Sequence, residues 1–318
     1  MKPRANRLLI ACAALLLLSG AAPAQPRTVT DKAGVQHVVG DTSRVVTVGG
    51  AATEIVYALG LGDRVVAVDV SSTYPPEALA TKPNVGYIRA LSPEGVLAVD
   101  PTLIIAMDNA GPPDAVKVLR SASIPFVTVP GAHDPEGIIA AIRFIADIMG
   151  VPEKGEELAN AVAADFTALE AVRDKIAAPR KATFVLSTSG AAPVVGGAGT
   201  TADDMFRLAG VTNAMAAVQG YKPAVDEAML AAEPDALVLM QDRNHGVTDE
   251  ALAAMPAFAG TPAAVNKRFL RLDGGYLLGF GPRTPQAARD LAAAVYPELN
   301  LPLLPSHSWT AGSAAKPE

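Results

Sequence analysis

The chain has 318 residues, half of them apolar, with 26 basic against 32 acidic side chains and a net charge of −6. That length allows two ordinary domains, and the composition excludes a disordered or low-complexity chain. The acidic balance argues against nucleic acid or an anionic membrane surface as the main partner.

The first 24 residues read as a secretory leader. Lys2, Arg4 and Arg7 form a basic start, Leu8 to Leu18 an apolar core, and Ala22-Pro23-Ala24 a small-residue cleavage site. Cleavage after Ala24 removes Cys12, the only cysteine, and leaves 23 basic against 32 acidic residues, a net charge of −9. The mature chain is then expected to be soluble and periplasmic, held by its cores without a disulfide.

In chain order, Thr28 to Val39 predicts a small hairpin around Asp31-Lys32-Ala33-Gly34. Arg44 to Val48 predicts a strand that Gly49-Gly50 turns into a helix over 53–59. Arg64 to Val68 predicts a second strand, which leads into Ser71-Ser72-Thr73-Tyr74-Pro75-Pro76. Two prolines hold that loop extended, so it presents the Tyr74 phenol stiffly from the carboxyl end of a strand. Open α/β sheets bind their ligands at that edge. Gly86-Tyr87-Ile88-Arg89 follows, then a helix with Ser92 as N-cap and Pro93 at its first position. Strands at 103–106 and 126–129 flank a helix from Pro113 to Arg120, and Asp134-Pro135 starts a helix that runs to Gly150.

From Glu153 to Ala178 the pattern stays helical with no interior proline, too long for an ordinary globular helix, so it reads as a connector. A second set of strands follows at 184–187, 236–240 and 269–272. Helices are expected at 203–209 and 226–232, with a last one from Thr284 to Val295. The tail 301–318 carries Pro302, Pro305 and Pro317 and is assigned no structure.

The second set echoes the first. Glu94 stands seven residues before Pro101 and Glu227 seven before Pro234, each proline preceding a strand. Gly86-Tyr87 and Gly220-Tyr221 precede those helices. Glu54 lies six residues before Gly60 and Asp204 six before Gly210. Repeated in one order, these spacings predict two lobes of one design. The expected fold is α/β: two Rossmann-like lobes with mostly parallel sheets, joined by one long helix, with the ligand cleft between them. The expected division is a leader at 1–24, a first lobe at 25–150, a connecting helix at 151–179, a second lobe at 180–300 and a flexible tail at 301–318.

The strand ends that should line the cleft carry no nucleophile elbow, no phosphate loop with a lysine and no His-Glu-x-x-His. Four histidines spread along the chain give no metal-ligand spacing. The expectation is a binding protein and not an enzyme.

Four stretches carry a family resemblance: Thr53 to Gly60, Ser72-Thr73-Tyr74-Pro75, Gly86 to Gly95, and Leu277-Leu278-Gly279-Phe280-Gly281-Pro282-Arg283-Thr284. They resemble the periplasmic haem-binding proteins of bacterial haem ABC importers, over all of the mature chain except the tail. The resemblance implies haem b as the transported ligand, carried by a monomer to an inner-membrane permease dimer, with Tyr74 as axial ligand to the iron. A phenolate is a hard anionic donor suited to ferric iron, and tyrosine is a known haem ligand. Haem propionates call for cations, and Arg89 and Arg243 are the candidates. Tyr276 is a candidate to stack on the porphyrin, and His245 to supply a second iron ligand. His133 reads as part of a helix cap. In relatives a glutamate on each lobe tip meets arginines of the transporter, and Glu54 and Asp204 are expected to fill those places. A ferric-siderophore or cobalamin carrier of the same superfamily is the alternative reading.

Overall fold

A computed structural model describes residues 26–31, 34–131, 133–190, 192–241 and 247–311. The leader, with its cleavage site, lies outside the described residues. The first lobe is built on a four-stranded parallel sheet, in spatial order Val65–Val68, Val45–Val48, Leu103–Met107 and Phe126–Val129. Its runs of Val and Ile are buried on both faces, as helical crossovers demand. Odd and even positions divide cleanly. Val45, Leu103, Ile105, Val127 and Val129 face the helix Pro135–Ile148, while Val46, Val48, Ile104 and Ala106 face Val96, Ala115 and Leu119.

The second sheet runs Tyr221–Pro223, Val194–Gly196, Lys181–Ser187, Ala236–Met240 and Phe269–Leu272, and Thr212–Asn213 adds to the Lys181 strand. It is mixed. Val194–Gly196 lies antiparallel to both of its neighbours, because the link from Ser187 to Val194 is too short for a helical crossover. The helix Thr201–Ala209 closes on Gly210 in the left-handed conformation, as its glycine predicts.

The connecting helix covers Pro152–Arg173 and is shorter than its sequence pattern suggests. Its buried residues Leu158, Ala159, Val162, Phe166, Leu169 and Val172 form one stripe. That stripe packs on Pro135–Ile148 from the first lobe and on Thr284–Val295 from the second. One apolar core therefore runs from Val45 through Phe166 to Leu291, and the helix is shared rather than a linker.

The tail departs from expectation as far as residue 311. Leu301 is buried, and the Arg289 guanidinium donates to the carbonyls of Leu301 and Pro302 at 2.6 and 2.8 Å. His307 bonds both carboxylate oxygens of Asp165 on the connecting helix, at 3.1 and 2.9 Å. A short 3-10 turn over Ser308–Thr310 then lies against the helix Gly50–Ala58. A proline-rich segment that cannot pair with itself is here satisfied by side chains of the folded body.

Candidate functional site

The site is built at the carboxyl edge of the first sheet around Asp69, which is fully buried. It accepts from the backbone N–H of Gly49 (2.7 Å), Ser71 (3.0 Å) and Ile88 (3.2 Å) and from the hydroxyls of Ser71 (2.7 Å) and Ser72 (3.1 Å). One carboxylate thus pins the first strand–helix turn, the Tyr74 loop and the Gly-Tyr-Ile-Arg segment together. Thr47, Thr53 and Ser72 continue the network through hydroxyl contacts of 2.7 Å each. Gly49 is required at φ 106°, where a Cβ would stand 2.6 Å from Met107 Cγ.

From this base the chain turns through a cis Tyr74–Pro75 peptide and presents the phenol. Its hydroxyl donates to the carbonyls of Trp309 and Ala311, both at 2.9 Å. The guanidinium of Arg283 lies 3.5 Å from the Tyr74 ring centroid. Arg283 comes from the second lobe and is 5% exposed; its Nε donates to Glu54 Oε2 at 3.0 Å, and its terminal nitrogen to Oε1. Burial pushes the Glu54 carboxyl above its ordinary value, while the Arg283 charge works against that shift.

Two sequence expectations about acids are corrected here. Glu54 is 7% exposed and spends its carboxylate on Arg283, so it does not stand on an outer tip. Asp204 accepts from His133 Nδ1 at 3.0 Å, a contact from the first lobe, and pairs with Arg207 at 2.8 Å. Glu54 is the fifth residue of the helix Gly50–Ala58 and Asp204 the fourth of Thr201–Ala209, and both acids reach across to the other lobe. Each lobe sends one helix acid to a cation or imidazole of the other, Glu54 to Arg283 and Asp204 to His133. His133 is not the helix cap; Asp134 takes that place, accepting from Gly137 N–H. His133 also packs on Phe280 at 4.6 Å.

Tyr276 is corrected as well. It is 4% exposed and donates to Asp290 Oδ2 at 2.9 Å, and burial drives its phenol far above the usual value. Its ring lies 5.0 Å from the Arg283 guanidinium and is buried, so it is not open to a ligand. Arg89 is exposed at the turn between Gly86–Tyr87 and Ala90–Leu91 and makes no ion pair among the described residues. Arg243 and His245 lie outside the described residues.

Arg283 stands in the Leu277–Thr284 motif with no role expected of it, and Asp69 is not among the expected site residues. The signal for Asp69 was local: an acid directly after a buried strand and followed by two serines. No local signal ties Arg283 to Glu54, 229 positions away.

Among the described residues no group of three or more His, Cys, Asp or Glu side chains could hold a metal ion. What the site offers instead is one hard oxygen donor with a cation against its ring. Such a donor suits a metal that brings its other ligands with it.

The model of the family described as "Periplasmic binding protein" matches residues 45–276. The periplasmic heme-binding protein RhuT from Roseiflexus sp. RS-1, in apo form, superposes with a TM-score of 0.77 at 38% identity, over 82% of this chain and all of that one. The uncharacterized ABC transporter substrate-binding lipoprotein YvrC of Bacillus subtilis is 26% identical over 261 residues, 81% of either chain. The vitamin B12-binding protein of Vibrio parahaemolyticus is 28% identical over 214 residues, 66% of this chain and 74% of its own. With its helix-joined lobes and a family match that spans both sheets, the chain belongs to the periplasmic binding proteins, which bind substrates for transport outside the cytoplasm.

Proposed function

We propose that this protein captures haem in the periplasm and delivers it to an inner-membrane ABC importer, with Tyr74 as axial ligand to ferric iron. The observation that carries the reading is the Tyr74 phenol, held by the Asp69 network and stacked on the buried Arg283. A ferric porphyrin already holds four nitrogens about its metal, so one hard oxygen donor completes a face. Arg89, without an ion pair among the described residues and next to Ile88, whose N–H binds the same Asp69, is the first candidate to take a propionate, and Arg243 is the second. The likeness to RhuT supports haem; the likeness to a vitamin B12-binding protein supports the cobalamin alternative.

For docking, the repeat offers a second pair of acids. Glu94 and Glu227 are exposed in the first turns of the helices Pro93–Leu97 and Asp226–Ala232. Each helix leads directly into a parallel strand of its lobe and so starts at that sheet's carboxyl edge. We assign transporter recognition to these two residues. Export by the leader predicts a mature monomer beginning at Gln25, readable by mass spectrometry.

The test is titration of the purified protein with hemin and, in parallel, with cyanocobalamin. Wild type should bind hemin with the charge-transfer bands of a phenolate-ligated ferric haem, and Tyr74→Phe should lose those bands and bind more weakly. Tight cobalamin binding, or a hemin spectrum unchanged in Tyr74→Phe, refutes the proposal.

A further inference from the structure

The phenol that the proposed function gives to iron is already engaged by the protein itself. Tyr74 donates one proton toward two backbone carbonyls, Trp309 and Ala311, both at 2.9 Å. A phenolate bound to iron has no proton to donate, and two carbonyl oxygens at that distance would then face an anionic oxygen. The two states exclude each other. We propose that residues 301–311 form a strap that caps the ligating oxygen of Tyr74, and that an incoming haem must displace its tip.

The strap is built to move at one end only. Its base is fixed where Leu301 enters the core and Arg289 holds the carbonyls of residues 301 and 302. Its tip, 307–311, is held by a different set of contacts: His307 on Asp165, the Tyr74 hydroxyl, and Trp309 packed against the apolar core, with His307 stacked flat on Trp309 at 4.3 Å within the tip itself. Leu303, Pro305 and Ser306 between them are exposed. The closed tip also carries a cost, because the Trp309 indole N–H is buried with no partner among the described residues. Releasing it to water recovers that hydrogen bond, so lifting the tip is partly compensated. The strap lies beyond residue 276, where the family match stops.

Capping lowers apparent affinity by the fraction of molecules that are open, since only those can ligate. When haem arrives, the phenol gives its proton to solvent, the oxygen bonds iron, and both carbonyls turn to water. The inference rests on the Tyr74 reading, and the experiment separates the two.

Trp309 is the only tryptophan in the chain, so its fluorescence reports the strap directly. In full-length protein without hemin, Tyr74→Phe and His307→Ala should each make Trp309 more accessible to acrylamide quenching. In stopped flow, His307→Ala should bind hemin roughly three- to tenfold faster than wild type and keep the phenolate spectrum. Should His307→Ala melt below the assay temperature, His307→Gln, which retains a donor for Asp165, replaces it with a smaller change in the same direction. Quenching unaltered by Tyr74→Phe, or hemin association unaltered by release of His307, overturns the strap. A Tyr74→Phe protein that keeps the wild-type haem spectrum overturns the Tyr74 reading instead, whatever the quenching shows.

Discussion

Removing the Glu54 carboxylate tests the centre of the site. In Glu54→Ala the Arg283 guanidinium, 5% exposed, keeps its charge and loses both of its carboxylate contacts. Stranding one partner of a buried ion pair costs about 3–5 kcal/mol. At roughly 2–3 °C per kcal/mol for a chain of this size, the melting temperature should fall by about 6–15 °C. The cost reaches the ligand as well. Arg283 escapes by turning toward water, and Tyr74 then loses a cation stacked at 3.5 Å. That contact is worth about 0.5–2 kcal/mol, so hemin affinity should fall roughly 2- to 30-fold. Urea unfolding followed by circular dichroism and a hemin titration read the two effects separately. Glu54→Leu with Arg283→Met, which removes both charges, should restore most of the stability and none of the affinity. A loss below about 1 kcal/mol with unchanged hemin binding would refute the reasoning, because a surface acid behaves that way.

Arg89→Ala should weaken hemin binding by about 1–3 kcal/mol, the scale of a charge-assisted hydrogen bond, with the iron spectrum unchanged; equal titration curves for the two proteins would remove Arg89 from the site. Glu94→Ala combined with Glu227→Ala should leave hemin binding intact and abolish stimulation of the cognate transporter's ATPase in liposomes, since rim charges set orientation and encounter rate. Normal haem delivery by that double variant would return both residues to the role of first-turn acids. The Tyr276 phenol is raised above its ordinary value of 10.0 by burial and by Asp290. A raised folded value means the phenol's contribution to stability is complete below pH 10 and is lost as pH rises beyond it. Urea midpoints measured at pH 9 and pH 11 should therefore converge in Tyr276→Phe relative to wild type.

Much of this protein is written locally. The runs Val45–Val48 and Leu103–Met107 could only be buried parallel strands, and helix starts such as Ser92-Pro93 and Asp134-Pro135 carry their own caps. The Tyr74 loop announces itself through its prolines, and the spacing of Glu54 and Asp204 discloses the repeat before any coordinate is known. Each of these signals lies within a few residues, where backbone sterics and side-chain period settle the outcome.

The rest depends on how the two lobes face each other. Spacing could pair Glu54 with Asp204 but not say whether these acids point outward or across, because that depends on which groups of the other lobe lie opposite them. Only packing brings Arg283 against the rings of both Tyr74 and Tyr276, and leaves the Tyr276 phenol buried on Asp290. The tail shows the same limit. Its composition describes a segment that cannot build a core of its own. Yet a buried Asp165 waits for His307, 142 positions along the chain, and Arg289 holds the carbonyls that proline-rich backbone leaves unpaired. Composition reports what a segment can do alone, and only the folded body determines which of its groups find a partner.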